Sequence, residues 1–307
     1  MQIARLAIDG RPEVVVGCRG RWVPLSQLVP SWATLAGSRD EADPAGVFAV
    51  LDEVRWACGS IDPEILEASP SIAATRRADL LCPLVRPGKI MGIGLNYAAH
   101  AAETSASLPA VPLVFAKWPT ALAAPEAALA ARPEVTSELD YEGELAVVIG
   151  RRCRDVAVDD ALGVVGAYAV ANDVSARDRQ YSEGGQWSHS KSFDGFCPLG
   201  PWLTSADEVA DPQDLRITTT VNGEVRQDCS TSQMVFPVAQ LVSFLSVGTT
   251  LEPGDVILTG TPPGVARGMP GKPYLGPGDV VDVAISTLGA LTTRVTAPVG
   301  PGGPEAQ

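Results

Sequence analysis

Apolar residues fall along this chain in short runs closed by turn-forming residues, a pattern of strands rather than of long helices. Near the N-terminus, IARLAI, EVVVG and RWVPL are separated by DGRP and CRGR, and they predict three strands joined by tight turns. PAGVFAVLDEVRWA and DPEILEAS follow with helical character, each opening after an aspartate, Asp43 or Asp62, suited to an N-cap. RRADLLCPLVRPGK reads as a hinge. Beyond it the chain is strand-rich: KIMGIGLNY, PLVFAKW, LAVVIG, VVGAYAVAND, LRITTTVNGEV, DVILTG and DVVDVAI, several with β-branched runs. LEPGDVILT and LGPGDVVDV each launch a strand from a Pro-Gly-Asp turn, a local echo and not a repeat. Helices are expected around 97–104, around 155–163 and in SQMVFPVAQLVSFLSVG, whose apolar residues fit one helical face.

The alternation of strand and helix that marks a doubly wound sheet is absent. The fold class is therefore α+β, mostly β, with strands folded into a sandwich or roll. The pattern divides the chain into a small N-terminal domain at 1–75, a main domain at 84–298 and a tail at 299–307 expected to be disordered.

Composition narrows the function. The 307 residues are 46% apolar and 19% charged, with a net charge of −13. That balance suits a globular protein with a substantial core and argues against nucleic-acid or anionic-membrane partners. The N-terminus lacks a signal-peptide core, and no apolar run reaches the length of a membrane span. The six cysteines are scattered with no C-x-x-C pair, which reads as reduced thiols and a cytoplasmic location. Only two histidines, His100 and His189, and four lysines are present. A metal would need oxygen ligands, and imidazole chemistry rests on one of two residues.

Candidate chemistry gathers in five stretches. DYEGELAVVIG sets Asp140, Glu142 and Glu144 at alternate positions, one face of a strand. Taken alone this reads as a solvated acidic edge, but the apolar continuation argues for burial. Converging carboxylates must then share a proton or a divalent cation, and all-oxygen ligands suit Mg²⁺, Mn²⁺ or Ca²⁺. AVANDVSARDRQY ends an apolar strand at Asp173, either a turn residue or a third carboxylate. In GIGLNYAAHAAE, His100 and Glu103 lie three apart, so on a helix the carboxylate can orient the imidazole as a general base. WSHSKSFDGFCPLGPW reads as an irregular loop around the lone cation Lys191, with His189 structural. ILTGTPPGVARG offers Thr259, Gly260 and Thr261 to a carboxylate, or is a plain loop.

In this order the segments resemble the fumarylacetoacetate hydrolase family. The resemblance rests on GIGLNYAAHAAE, PLVFAKWPTAL, LDYEGELAVVIG, YAVANDVSARDRQ, KSFDGFCPLGP, VNGEVRQ and GDVILTGTPPGV. It implies a mostly-β roll, a homodimer and one Mg²⁺ or Mn²⁺ per site, held by Glu142, Glu144 and Asp173. His100 and Glu103 would activate water. Lys117, Gln180, Lys191 and Thr261, with Tyr97, Arg177 and Gly260, would meet a 2-oxo or β-diketo acid, and Asp178 would support them. The implied activity is hydrolysis of a C–C bond in an acylpyruvate-like substrate. Decarboxylation, tautomerisation or isomerisation on the same site, and a non-catalytic metal-binding protein, are the alternatives. One departure is visible: Trp118-Pro119 and AAPEAALAARPE depart from the family pattern after Lys117, which bears on the pocket and not on the metal ligands.

Overall fold

The computed structural model describes residues 1–32, 44–182 and 184–298. Asp43 and the 299–307 tail lie outside them. Strands β1 (Gln2–Ile8), β2 (Arg11–Cys18) and β3 (Arg21–Pro24) form the expected antiparallel meander. The stretch read as a hinge carries a short strand, β4 (Leu80–Leu81), paired with β1. Two residues are too few to show a side-chain period, so only the pairing reveals it.

The rest of the strands are β5 (Ile90–Gly94), β6 (Leu113–Lys117), β7 (Leu122–Ala123), β8 (Ala128–Ala130), β9 (Leu139–Asp140) and β10 (Gly143–Ile149). They continue with β11 (Val165–Asn172), β12 (Ser175–Ala176), β13 (Cys197–Ser205), β14 (Arg216–Val221) and β15 (Glu224–Ser230). The chain closes with β16 (Val256–Leu258), β17 (Val280–Ile285) and β18 (Gly289–Thr296). β13 occupies part of the stretch read as an irregular loop: Pro198, Gly200 and Pro201 hide a buried strand from a propensity reading.

An 11-stranded sheet runs β3-β2-β1-β13-β11-β10-β16-β5-β6, with β4 on β1 and β7 on β13. A 5-stranded sheet runs β15-β14-β17-β18-β8. β10, β11 and β13 pack against strands β14, β17 and β18 of the second sheet, which buries the central strands along their whole length. That double coverage is why LAVVIG and VVGAYAVAN lack polar alternation. The fold is α+β and mostly β. Because β1 pairs with β13, the N-terminal strands extend the large sheet.

Helices are few and short. Pro44–Val50 is a 3₁₀ turn leading into the α-helix Leu51–Gly59, and Asp62 caps Pro63–Ala68 by accepting from the Glu64 N–H at 2.8 Å. Ala98–Glu103 is helical, Val158–Val164 is 3₁₀, and Val238–Ser246 begins only after Pro237. Among the described residues no helix is long and apolar enough to cross a membrane.

The reading of all six cysteines as free thiols is corrected. Cys18, at the end of β2, and Cys58, in the helix Leu51–Gly59, form a disulfide with Cα atoms 5.6 Å apart. Forty residues of chain separate them, so only tertiary packing brings them together. Cys153, Cys197 and Cys229 remain free thiols. The inference of a reducing compartment loses its support.

Candidate active site

Strand register builds the floor of the site. β10 and β11 are antiparallel with Gly143 opposite Asn172, so one step beyond the pair Glu142 faces Asp173. The Asp173 N–H donates to the Glu142 carbonyl at 2.8 Å, which locks that step. On the other side of β10, the ladder to β16 places Gly260 beside Glu144, and the Gly260 N–H donates to Glu144 Oε2 at 2.8 Å. Gly260 has φ +95°, and a Cβ there would press on Asn96 at 2.7 Å, so only glycine delivers that donor. Glu142, Glu144 and Asp173 are all buried and offer carboxylate oxygens within 4.8 Å of one another.

Three cations answer these acids. Lys191 Nζ donates to Glu142 Oε2 (2.8 Å), Asp173 Oδ2 (2.7 Å) and Ser175 Oγ (2.7 Å), using all three of its protons. Lys117 Nζ donates to Asp173 Oδ1 at 2.6 Å and to the Lys191 carbonyl. Arg177 Nε donates to Asp140 Oδ2 at 2.8 Å, and its Nη2 lies 2.7 Å from Glu142 Oε1.

Asp140 is the one acid of the alternating set to which the family resemblance gives no role. It is wholly buried. Besides Arg177 it accepts from the backbone N–H of Tyr141, Ala266 and Arg267, at 2.9, 2.8 and 3.1 Å. No spacing rule signals this, because Arg177 lies 37 residues away and Ala266 and Arg267 lie 126 and 127 residues away along the chain.

Four buried carboxylates thus face three buried cations, leaving one negative charge unmatched. Burial alone would raise the Glu142 carboxyl, but Lys191 and Arg177 overcome it and hold the group well below the usual range. Glu144 shows the opposite: burial, then the charges of Asp173 and Glu142, push it well above the carboxylate range. Burial disfavours the Lys191 ammonium, yet Asp173 and Glu142 outweigh it and keep the lysine charged. Glu144 is therefore the acid that needs a proton or a cation. The converging, all-oxygen donor set fits a hard divalent ion such as Mg²⁺ or Mn²⁺.

Above the floor lies a narrow cleft whose walls include His100, Glu142, Arg177, Gln180, Lys191 and Thr261. His100 Nδ1 meets Glu103 Oε1 at 2.8 Å, and Glu103 Oε2 accepts from the Gly264 N–H at 2.8 Å. Gly264 has φ +109°, and a Cβ would collide with the Arg226 carbonyl. Gln180 Oε1 accepts from Arg177 Nη1 at 2.9 Å, which turns the amide so that its Nε2 donors stay available. The Thr261 hydroxyl donates to the Gly143 carbonyl at 3.0 Å and accepts from Gln227 Nε2 at 2.8 Å, so its one proton is committed.

Lys117, Tyr97 and Gly260 lie beneath the cleft rather than on its walls. The Tyr97 hydroxyl is buried without a hydrogen-bond partner. Asp178 braces the 136–137 turn, accepting from Thr136 Oγ1 (2.5 Å) and the Ser137 N–H (3.1 Å). His189 is exposed and packs edge-on against Phe193, away from the carboxylates. The sequence reading did not single out Phe115, Tyr181 and Trp187, which supply the aromatic wall, or Gln227, which ties Gly143 to the 261–262 loop.

The Fumarylacetoacetate (FAA) hydrolase C-terminal family matches residues 89–296, a span that contains every one of these groups. The chain belongs to the fumarylacetoacetate hydrolase family. Its relatives in that family include an oxaloacetate tautomerase, Fahd2a, of Rattus norvegicus, 41% identical over 83% of this chain and 81% of the relative. A fumarylacetoacetate hydrolase from Exiguobacterium antarcticum superposes with TM-score 0.80 at 36% identity, covering 97% of this chain and 99% of the other. A maleylpyruvate hydrolase from Sphingobium sp. SYK-6, solved with manganese(II) and pyruvate, gives TM-score 0.76 at 28% identity, covering 97% and 100%. Fumarylacetoacetate hydrolase family relatives are thus enzymes that include hydrolases and a tautomerase acting on small acids.

Proposed function

We propose that this chain is a divalent-metal-dependent hydrolase that cleaves a C–C bond in an acylpyruvate-like β-diketo acid. Glu142, Glu144 and Asp173 would hold Mg²⁺ or Mn²⁺. When bound, that ion supplies Lewis-acid stabilisation of negative charge on the substrate's 2-oxo oxygen. The observation that carries the reading is the His100–Glu103 pair, its imidazole buried on the cleft wall and its half-buried carboxylate behind it. Glu103 fixes Nδ1 as the protonated nitrogen and leaves Nε2 to take a proton from water as it attacks the distal carbonyl. Gln180, its carbonyl held by Arg177, points donors at the charge that develops, and Lys191 adds a fixed positive charge. Phe115, Tyr181 and Trp187 keep bulk water from the cleft. Residues 84–298 form the catalytic unit, with 1–75 its companion. The exposed Leu113, Val114 and Trp118 on and beside edge strand β6 support a homodimer, which light scattering tests.

A second reading, tautomerisation of a 2-oxo acid such as oxaloacetate, is favoured by the Rattus relative. A product assay separates the two. Acylpyruvates should yield pyruvate and a carboxylic acid only with added Mg²⁺ or Mn²⁺. Loss of this cleavage in His100→Ala supports hydrolysis, whereas metal-dependent enol–keto exchange with no cleavage product would replace the first reading by the second.

A further inference from the structure

Among the described residues Trp187 is the one tryptophan on the cleft wall, and it is half-buried there. Its ring lies across Gly94, a wall residue at the end of β5: a Cβ on Gly94 would stand 2.5 Å from Trp187 Cζ3. Two residues earlier on the same face of β5, a Cβ on Gly92 would collide with the Phe115 ring. Alternate glycines of one strand thus give berths to two aromatic rings. Those rings meet with centroids 5.9 Å apart, and Trp187 meets Tyr181 edge-on at 6.2 Å. A cation backs each of its neighbours. Lys191 Nζ lies 5.1 Å from the centroid of Phe115, and the Arg267 guanidinium lies 3.7 Å from that of Tyr181.

The walls leave about 10 Å³ between them, close to what a single water needs. A substrate therefore enters only by displacing part of the wall. Ile93, Gly94 and Phe115 belong to β5 and β6, and cannot move without breaking the sheet. Glu142, Arg177, Gln180 and Lys191 are buried and hydrogen-bonded to one another. Tyr181 is held by Arg267, whose backbone N–H is tied to Asp140 at 3.1 Å. Trp187 is placed differently. It opens the four-residue helix Trp187–Ser190, which follows Gly184 and Gly185 in left-handed conformations, φ +81° and +64°. That helix is fastened to β6 by a side chain, Ser188 Oγ accepting from the Ala116 N–H at 3.1 Å.

We infer that Trp187 is a specificity-determining residue: its indole is the part of the wall that yields to substrate. The larger the group behind the 2-oxo acid head, the more of the contact with Gly94, Phe115 and Tyr181 is given up. The cleft accordingly takes an acyl group of methyl or ethyl size and rejects an aromatic one. This inference rests on the metal-dependent 2-oxo acid reading above and adds a limit of size to it.

The test separates the two. The Mn²⁺-loaded protein is titrated calorimetrically with 2-oxobutanoate and with 2-oxo-3-phenylpropanoate, and kcat/KM is measured for 2,4-dioxopentanoate and 2,4-dioxo-4-phenylbutanoate. Wild type should favour the smaller member of each pair about tenfold or more, the worth of the two ring contacts that the larger one displaces. Trp187→Ala should erase or invert that preference. Absolute rates fall as water enters the opened cleft, so the ratio is the readout. Trp187→Phe should fall between. Gly94→Ala, which denies the indole its berth, should weaken the preference in the wild-type chain and change it no further in Trp187→Ala. An equal ratio in wild type and Trp187→Ala, or no preference for the smaller acid in wild type, overturns the role of Trp187. Should Trp187→Ala not fold, the ratios in Trp187→Phe and Gly94→Ala decide. Absence of metal-dependent turnover of both dioxo acids instead overturns the hydrolase reading, while the calorimetric ratio still decides on Trp187. Failure of both 2-oxo acids to bind overturns both.

Discussion

The floor and the rim of the cleft are built on opposite principles. Glu144 and Lys117 lie within strands, Glu142 and Asp173 lie one residue beyond strand ends, and all are buried and interlocked. Tyr181, Trp187 and Arg267 stand on short turns and are half-buried or exposed, and their contacts are mostly between rings or between a ring and a cation. Low-dielectric, register-fixed charges suit chemistry that one cation and one water must share. A looser rim tolerates exchange of side chains and suits the choice of substrate. The difference is consistent with one fold serving relatives of different activities.

Breaking the floor should have the largest effect. Glu144→Ala removes one proposed ligand and should lower metal-dependent turnover by about a thousandfold, since a bound ion contributes several kcal/mol. Manganese titration by calorimetry should show binding weakened in parallel. Full activity of that variant without metal would end the proposal. His100→Ala should cost about 10²–10⁴-fold in cleavage, the usual range for a general base, while manganese binding stays intact. A variant that still cleaves at the wild-type rate removes His100 from the mechanism.

Asp140→Asn probes the seam between floor and rim. It leaves the buried Arg177 guanidinium with one carboxylate partner fewer and should destabilise the fold by about 3 kcal/mol, read as a lower midpoint in urea. An unchanged midpoint would mean that the backbone donors alone hold the 264–268 loop.

The smallest effect is a pH dependence. Burial and the neighbouring Asp173 and Glu142 charges raise the Glu144 carboxyl, so the metal-free chain holds a proton there to higher pH than an exposed glutamate would. Binding a cation expels it, and apparent manganese affinity should rise with pH by up to about tenfold per unit until Glu144 ionises unaided. A raised folded value also means that this proton stabilises the metal-free fold at low pH. That contribution is lost as pH rises through the folded value. The increase in Tm on adding manganese should therefore grow with pH, and a flat dependence would show that Glu144 is already ionised.

Much of the candidate site was legible because its residues fall into local patterns. His100 and Glu103 need only one helical turn, and Glu142 and Glu144 need only adjacent extended backbone. Asp140 looked no different from its neighbours, because four donors from Tyr141, Arg177 and the 266–267 turn decide its role. β13 was hidden by prolines, and β4 by its length. The Cys18–Cys58 pair was misread because sequence distance carries no information about which strand end meets which helix.

The chain's own pattern of short apolar runs determined a mostly-β fold, and its scarcity of histidine restricted any metal site to oxygen ligands. These are local properties, set by side-chain period and by residue chemistry. Tertiary structure alone decided which carboxylate is pinned by arginine, which is left needing a proton or a cation, and which arginine stacks on the Tyr181 ring. Those outcomes depend on burial and on groups brought together from as far as 161 residues apart, as the Gly264 N–H on Glu103 shows. Electrostatic energy follows distance in space, and the order of residues along the chain does not contain that distance.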